Sequence, residues 1–195
     1  KIGYQLFQID GNDISGQLLF AGCRFTLAGL LTILLGSLMN RRPLIPRKTS
    51  WIRIAKLSLF QTVIQYLFFY VGLAHTTGVK ASIIEASNVF VAILIASLIF
   101  RQEKLDKHKI IGCIAGFAGV VLININQSGL DMSLSLTGEG FILLSTIAYA
   151  VSSVLIKIYS REDNPVMLSG WQFLLGGIIM ILCGYLTGGS VSVWT

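Results

Sequence analysis

The sequence predicts an all-α membrane protein, a polytopic bundle of about six transmembrane helices. Three observations predict it. Of 195 residues, 54% are hydrophobic and only 12% are charged, about half the charged share of a soluble domain. The apolar residues gather in six continuous runs. The basic residues gather in every second connection between those runs. A soluble fold must present a wettable surface, and this chain has too few polar residues to cover one. A bilayer removes that demand.

Spanning takes about 20 residues at about 1.5 Å rise each, with about 17 as a lower limit. The first run, 19–39, qualifies and stops at Asn40, before a connection carrying Pro43 and Pro46. The second, 52–73, follows Trp51, an aromatic residue at the expected interface. The third, 79–100, ends where Arg101 opens a charge-dense connection. The fourth, 109–125, is the shortest and is followed by a Ser-rich connection. The fifth, 139–159, ends on the interface aromatic Tyr159. The sixth, 166–187, follows Asn164-Pro165, a helix-start signal. Unpaired backbone is costly in hydrocarbon, so each run is helical. Continuous rather than alternating apolarity excludes a β-barrel. No connection is long enough to hold a soluble domain.

The charges assign sides. Connections 40–51, 101–108 and 160–165, with their flanks, hold twelve of the 15 Lys and Arg residues. The intervening connections hold Lys80 and little else. The positive-inside rule places the three basic connections in the cytoplasm, as in a multi-pass protein of a bacterial inner (plasma) membrane. The net charge of +6 is therefore a topology signal, and nucleic acid is excluded as a partner in favour of the lipid bilayer. Cys23, Cys113 and Cys183 fall inside apolar runs, with no CxxC pair and no Cys/His cluster. No metal site, cofactor or catalytic residue is expected. The chain begins at Lys1 without a basic-then-apolar leader, which reads as a start within a longer protein.

An internal repeat links the ends. Ala21–Leu38 reads AGCRFTLAGLLTILLGSL and Ser169–Leu186 reads SGWQFLLGGIIMILCGYL. At an offset of 148 they agree at eight of eighteen positions, including Gly22/Gly170, Gly29/Gly177 and Gly36/Gly184. The sixth run lies five helices after the first, so the two cross in opposite directions. Inverted-topology repeats are a hallmark of secondary transporters, whose solute sites lie near the midplane.

Further residues resemble the EamA family of the drug/metabolite transporter superfamily. They are Arg24-Phe25, then YVGLAHTTGVKASIIEASNVFVAILIASLIFRQEKLDKHKIIGCIAGFAGVVLI from Tyr70, with Glu103, Gly112, Gly116 and Gly119-Val120, then GEGFILLSTIAYAVSSVLIK from Gly138. The resemblance implies ten helices in two inverted five-helix repeats. Residues 1–125 would be the first repeat, its first helix mostly missing, and 138–195 the truncated start of the second. It implies a permease or exporter moving small metabolites, amino acids or drugs by alternating access. The family often has Pro in the middle of its fourth helix, where this chain has Val89.

Several polar residues stand in the spans. Glu85 is an ionisable group about six residues into the third run, a functional-site hypothesis by default. It has three readings: an ion pair with Arg24, a site for a proton or a cationic solute group, or simple exposure to water. Arg24 and Glu85 sit at similar depths, about 7 and 9 Å from the outer ends. Arg24 is also placed to snorkel to the outer interface. The second run carries Ser58, Gln61, Thr62, Gln65 and Tyr66 on one side, the third adds Ser82 and Asn88 in steps of three with Glu85, and the fifth adds Ser145, Tyr149, Ser152 and Ser153. Such stripes line a cavity or bond other helices. The expected solute contacts are Glu85, Gln61, Gln65, Asn88, Arg24 and Tyr149, with a proton as a possible coupling ion. Gly112, Gly116 and Gly119 form a small-residue face for close packing, within the bundle or in a homodimer. A membrane enzyme would need clustered His, Asp or Glu, and a channel would need a symmetric polar ring. A structural or assembly protein without transport activity would not need the stripes.

Overall fold

A computed structural model describes residues 13–102, 106–125 and 135–189. Glu103, the 126–134 connection and both chain ends (1–12 and 190–195) lie outside the described residues. Among those described, helix is the only regular structure.

Six helices follow in the expected order. Helix α1 is Ile14–Met39, and the Asp13 carboxylate caps it by accepting from the Gly16 N–H at 2.9 Å. Helix α2 is Ser50–Leu73, with a wide π turn over Leu59–Ile64. Helix α3 is Gly78–Ile99, capped by Thr77 and interrupted at Ser87. Helix α4 is Lys107–Ile125, α5 is Leu136–Tyr159, and α6 is Pro165–Leu186. Asn164 caps α6 by accepting from the Val166 and Met167 N–H groups, with Pro165 in the first turn, where its missing N–H costs nothing. Five of these, all but α4, are long and apolar enough among the described residues to cross a membrane. Helix α4 has 19 residues, about 28 Å of rise. The chain is a multi-pass membrane helix bundle.

The first run begins five residues earlier than the apolar pattern indicates. Gly16, Gln17 and Leu18 are buried, so the helix continues as far as its Asp13 cap. Polarity is turned inside out relative to a soluble fold. Gln17, Ser58, Thr62, Ser145, Ser152 and Gln172 are buried, whereas Leu27, Leu30, Leu31, Leu34, Leu35 and Leu38 of α1 face outward. Leucine costs nothing against lipid tails, and polar groups gain from interhelical partners.

Helices α1 and α6 form the main seam. A Cβ on Gly22 would lie 2.8 Å from the Gly177 carbonyl oxygen, and one on Gly29 would lie 2.8 Å from that of Gly170. The contacts run antiparallel and are reciprocal under the 148-residue offset. Gly22 meets Ile181 as Gly170 meets Ile33, and Gly29 meets Leu174 as Gly177 meets Thr26. Repeat-related residues thus meet across a local two-fold relation.

The three basic connections lie at one end of the bundle. Arg53 of α2 ion-pairs with Glu162 and, at 2.7 Å, with Asp163, both in the α5–α6 connection. Ser50 donates to Asp163 at 2.7 Å. Arg161 donates to Gln102 beyond α3 at 2.7 Å. At the opposite end, Glu139 at the start of α5 accepts from Thr76 at 2.8 Å and from the Ser135 N–H at 2.7 Å, and ion-pairs with Lys80 at 3.3 Å. Gly138 sits so close that a Cβ there would be 2.6 Å from the His75 carbonyl oxygen.

Candidate functional site

Between α2, α3 and α5 lies a cavity of about 200 Å³, lined by Gln65, Glu85, Asn88, Ser145, Thr146 and Tyr149. All six side chains are polar, in spans that are otherwise apolar. Asn88 stands at the middle of Gly78–Ile99 with Glu85 one turn before it, and Tyr149 stands near the middle of Leu136–Tyr159. The site is therefore near mid-span.

Helix α3 positions two of these residues by breaking. At Ser87 ψ is −10° instead of about −42°. Its N–H bonds the Ile84 carbonyl at 3.0 Å, and its hydroxyl donates to the same oxygen at 2.6 Å. A short turn replaces the regular ladder between Glu85 and Asn88. The break needs no proline and falls two residues before Val89. Serine competing for helix carbonyls is the physical cause. Discontinuous membrane helices characteristically build the solute sites of transporters.

The electrostatics are one-sided. No Lys, Arg or His lines the cavity among the described residues. Glu85 is exposed, the third of the readings open to it. It makes no hydrogen bond or ion pair among the described residues, and it interacts electrostatically with Tyr66, which also feels Arg24 and Tyr149. The side-chain oxygens of Gln65 and Asn88 are buried without a hydrogen-bond partner among the described residues. Ser145 is buried, and Thr146 spends its hydroxyl proton on the Ile142 carbonyl at 3.0 Å.

The structure brings together four of the six expected contacts: Glu85, Gln65, Asn88 and Tyr149. Gln61 lies elsewhere. The wide turn of α2 faces it to α6, where it accepts from Gln172 at 3.0 Å. Neighbouring Thr62 packs on Gly176, so the inner half of the α2 stripe bonds and packs between helices. Arg24 does not pair with Glu85. It is exposed, with its guanidinium 5.2 Å from the centre of the Phe25 ring. It reaches the site only through Tyr66, whose ring packs edge-on against Phe25 at 4.7 Å. Thr146 was not anticipated, although its position three residues before Tyr149 was a usable signal. The Glu139–Lys80–Thr76 and Arg53–Asp163–Ser50 clusters were not anticipated either. A Cβ added at Gly112, Gly116 or Gly119 would meet no atom of the described residues within 4 Å.

A polytopic helix bundle with a polar mid-span cavity at a broken helix defines a membrane protein of the transporter class. The chain belongs to the EamA-like transporter family, which it matches over residues 11–125 and 136–194, within the drug/metabolite transporter superfamily. It is similar to the WAT1-related protein At3g02690, chloroplastic, of Arabidopsis thaliana, with 28% identity over 86% of this chain and 40% of that protein. It is similar to the uncharacterized transporter sll0355 of Synechocystis, with 28% identity over 83% of this chain and 52% of that protein. The uncharacterized transporter YvbV of Bacillus subtilis is 25% identical over 93% of this chain and 58% of its own length. The chain spans about half the length of the curated relatives it matches. No solved structure matches it significantly.

Proposed function

We propose that this chain forms the solute-binding part of a secondary transporter that moves small metabolites, amino acids or drugs across a cell membrane by alternating access. The observation that carries the reading is the polar mid-span cavity beside the break in α3. Polar groups at that depth are expensive and are kept where they meet a solute or an ion. The clusters at the two ends of the bundle support it. Each ties α2 or α3 to α5 or its flanking connection, at opposite ends of the bundle. The basic end, with 40–51, 101–108 and 160–165, faces the cytoplasm in this reading.

The test is counterflow. The complete protein is placed in proteoliposomes with a panel of labelled amino acids, amines and metabolites, with and without a pH gradient. Saturable exchange is expected for at least one class. Absence of saturable exchange across the panel, from protein shown to be folded, would exclude the carrier.

A further inference from the structure

We infer that the cavity between α2, α3 and α5 binds a small organic cation carrying N–H donors, a protonated amine, with Glu85 as its counter-charge. The inference deepens the transporter reading and rests on it for physiological meaning, but its binding test stands apart from transport. Three observations carry it. First, the lining holds one carboxylate and no cation among the described residues. Lys80, five residues before Glu85, pairs with Glu139, and Arg24 interacts with Tyr66 and the Phe25 face. Charge within a span is kept where it meets a partner or a water-filled cavity. Glu85 is exposed, and none of the described residues supplies it with an ion pair. Second, Gln65 and Asn88 each hold a buried side-chain oxygen with no donor. Buried acceptors without partners are rare in folded proteins. Of the five such oxygens among the described residues, those of Ser58, Thr62 and Gln172 lie away from the cavity, and the two of Gln65 and Asn88 belong to residues that line it and suit a ligand with N–H donors. Third, the hydroxyl proton of Thr146 is already committed to a backbone carbonyl, so its oxygen is also left to accept. A carboxylate ligand would meet the Glu85 charge with no cation in the described lining to offset it.

An ammonium group has three N–H donors. It can satisfy the Glu85 carboxylate and the two amide oxygens together. A quaternary ammonium of equal charge has no such donors and can satisfy only the charge. Charge is thus read by Glu85, and donation by Gln65 and Asn88.

The experiment uses the complete protein, purified in detergent and shown to be monodisperse, with titration calorimetry of a matched series: butylammonium, butyltrimethylammonium, butanol and butyrate. Butylammonium is expected to bind saturably and at least about tenfold more tightly than butanol or butyrate, since hydrogen bonds to charged groups are the strong ones. Glu85→Gln is expected to lose at least tenfold for both cations, and Glu85→Asp, which keeps the charge and controls for folding, to retain binding. Gln65→Met with Asn88→Leu is expected to bring butylammonium down to the affinity of butyltrimethylammonium and leave the latter unchanged. Butyrate or butanol binding as tightly as butylammonium, ammonium binding that survives Glu85→Gln, or no binding of any member would overturn the proposal. Counterflow of other solutes would then leave the carrier standing. Cation binding without any counterflow would do the reverse.

Discussion

Asp163 occupies the short connection between α5 and α6, where three side chains converge. Burial alone would push its carboxyl up, but hydrogen bonds from Ser50 and Arg53, with the charges of Arg53 and Arg47, outweigh burial and hold it below its ordinary value of 3.8. A depressed carboxyl stabilises the fold fully above that ordinary value. The contribution disappears as pH falls through the folded value, because the unfolded chain takes up the proton first. Asp163→Asn is expected to lower the Tm of the detergent-solubilised protein at pH 7 and to flatten the fall in Tm below about pH 4. Equal acid sensitivity in variant and wild type would remove Asp163 from that role. Glu85, Asn88, Gln65 and Tyr149 were all legible at this scale, because a polar side chain in an apolar run has few places to go. Gln61 takes the other course open to its stripe, bonding a neighbouring helix, because the stripe faces two neighbours. The wide turn in α2 gives the outer part, Gln65, to the cavity and the inner part, Gln61 and Thr62, to α6.

Helices α1 and α6 approach so closely because glycine lets their backbones meet. A Cβ on Gly29 would lie 2.5 Å from the Leu174 nitrogen, and one on Gly177 would lie 2.5 Å from the Thr26 nitrogen. Backbone atoms cannot swing away as a flexible side chain can. Gly29→Ala and Gly177→Ala are each expected to cost about 1–3 kcal/mol, read as a loss of Tm. Gly116→Ala adds a methyl to open space and is expected to change stability by no more than about 1 kcal/mol, in the stabilising direction. The three glycines looked alike in sequence. Periodicity marks a small-residue face but carries no information on whether another helix covers it. For the homodimer expected through Gly112, Gly116 and Gly119, Gly116→Leu should lower the dimer fraction in cross-linking while leaving the monomer's Tm unchanged. The interruption of α3 teaches the converse. The absence of proline at Val89 did not keep the helix straight, because Ser87 supplies a competing hydroxyl two residues earlier.

The whole bundle places the basic connections together at one end. In proteoliposomes of defined orientation, with the three native cysteines replaced by alanine, Lys48→Cys and Arg161→Cys are expected to react with an impermeant maleimide from one side and Thr77→Cys from the other. Labelling of all three from one side would discard the topology. The two end clusters add a mechanical expectation. Lys80→Met with Glu139→Gln removes the tie at the Thr77 end, and is expected to raise the reactivity of a cysteine at Ser145 from that side.

The sequence by itself determined that this is a membrane helix bundle, the order of its six helices, which connections share a side, and that its first and last described helices repeat one another. These follow from local quantities: the length of an apolar run, the cost of unpaired backbone in lipid, and the count of charges between runs. Only the tertiary structure decided which polar residues share a cavity, that Arg24 leaves Glu85 without an ion pair, and which glycines carry a seam. Those depend on the rotation of each helix about its axis and on the breaks in α2 and α3. Contacts between residues far apart in the chain, from Thr76 with Glu139 to Gln61 with Gln172, set that rotation, and composition and spacing along the chain do not encode it.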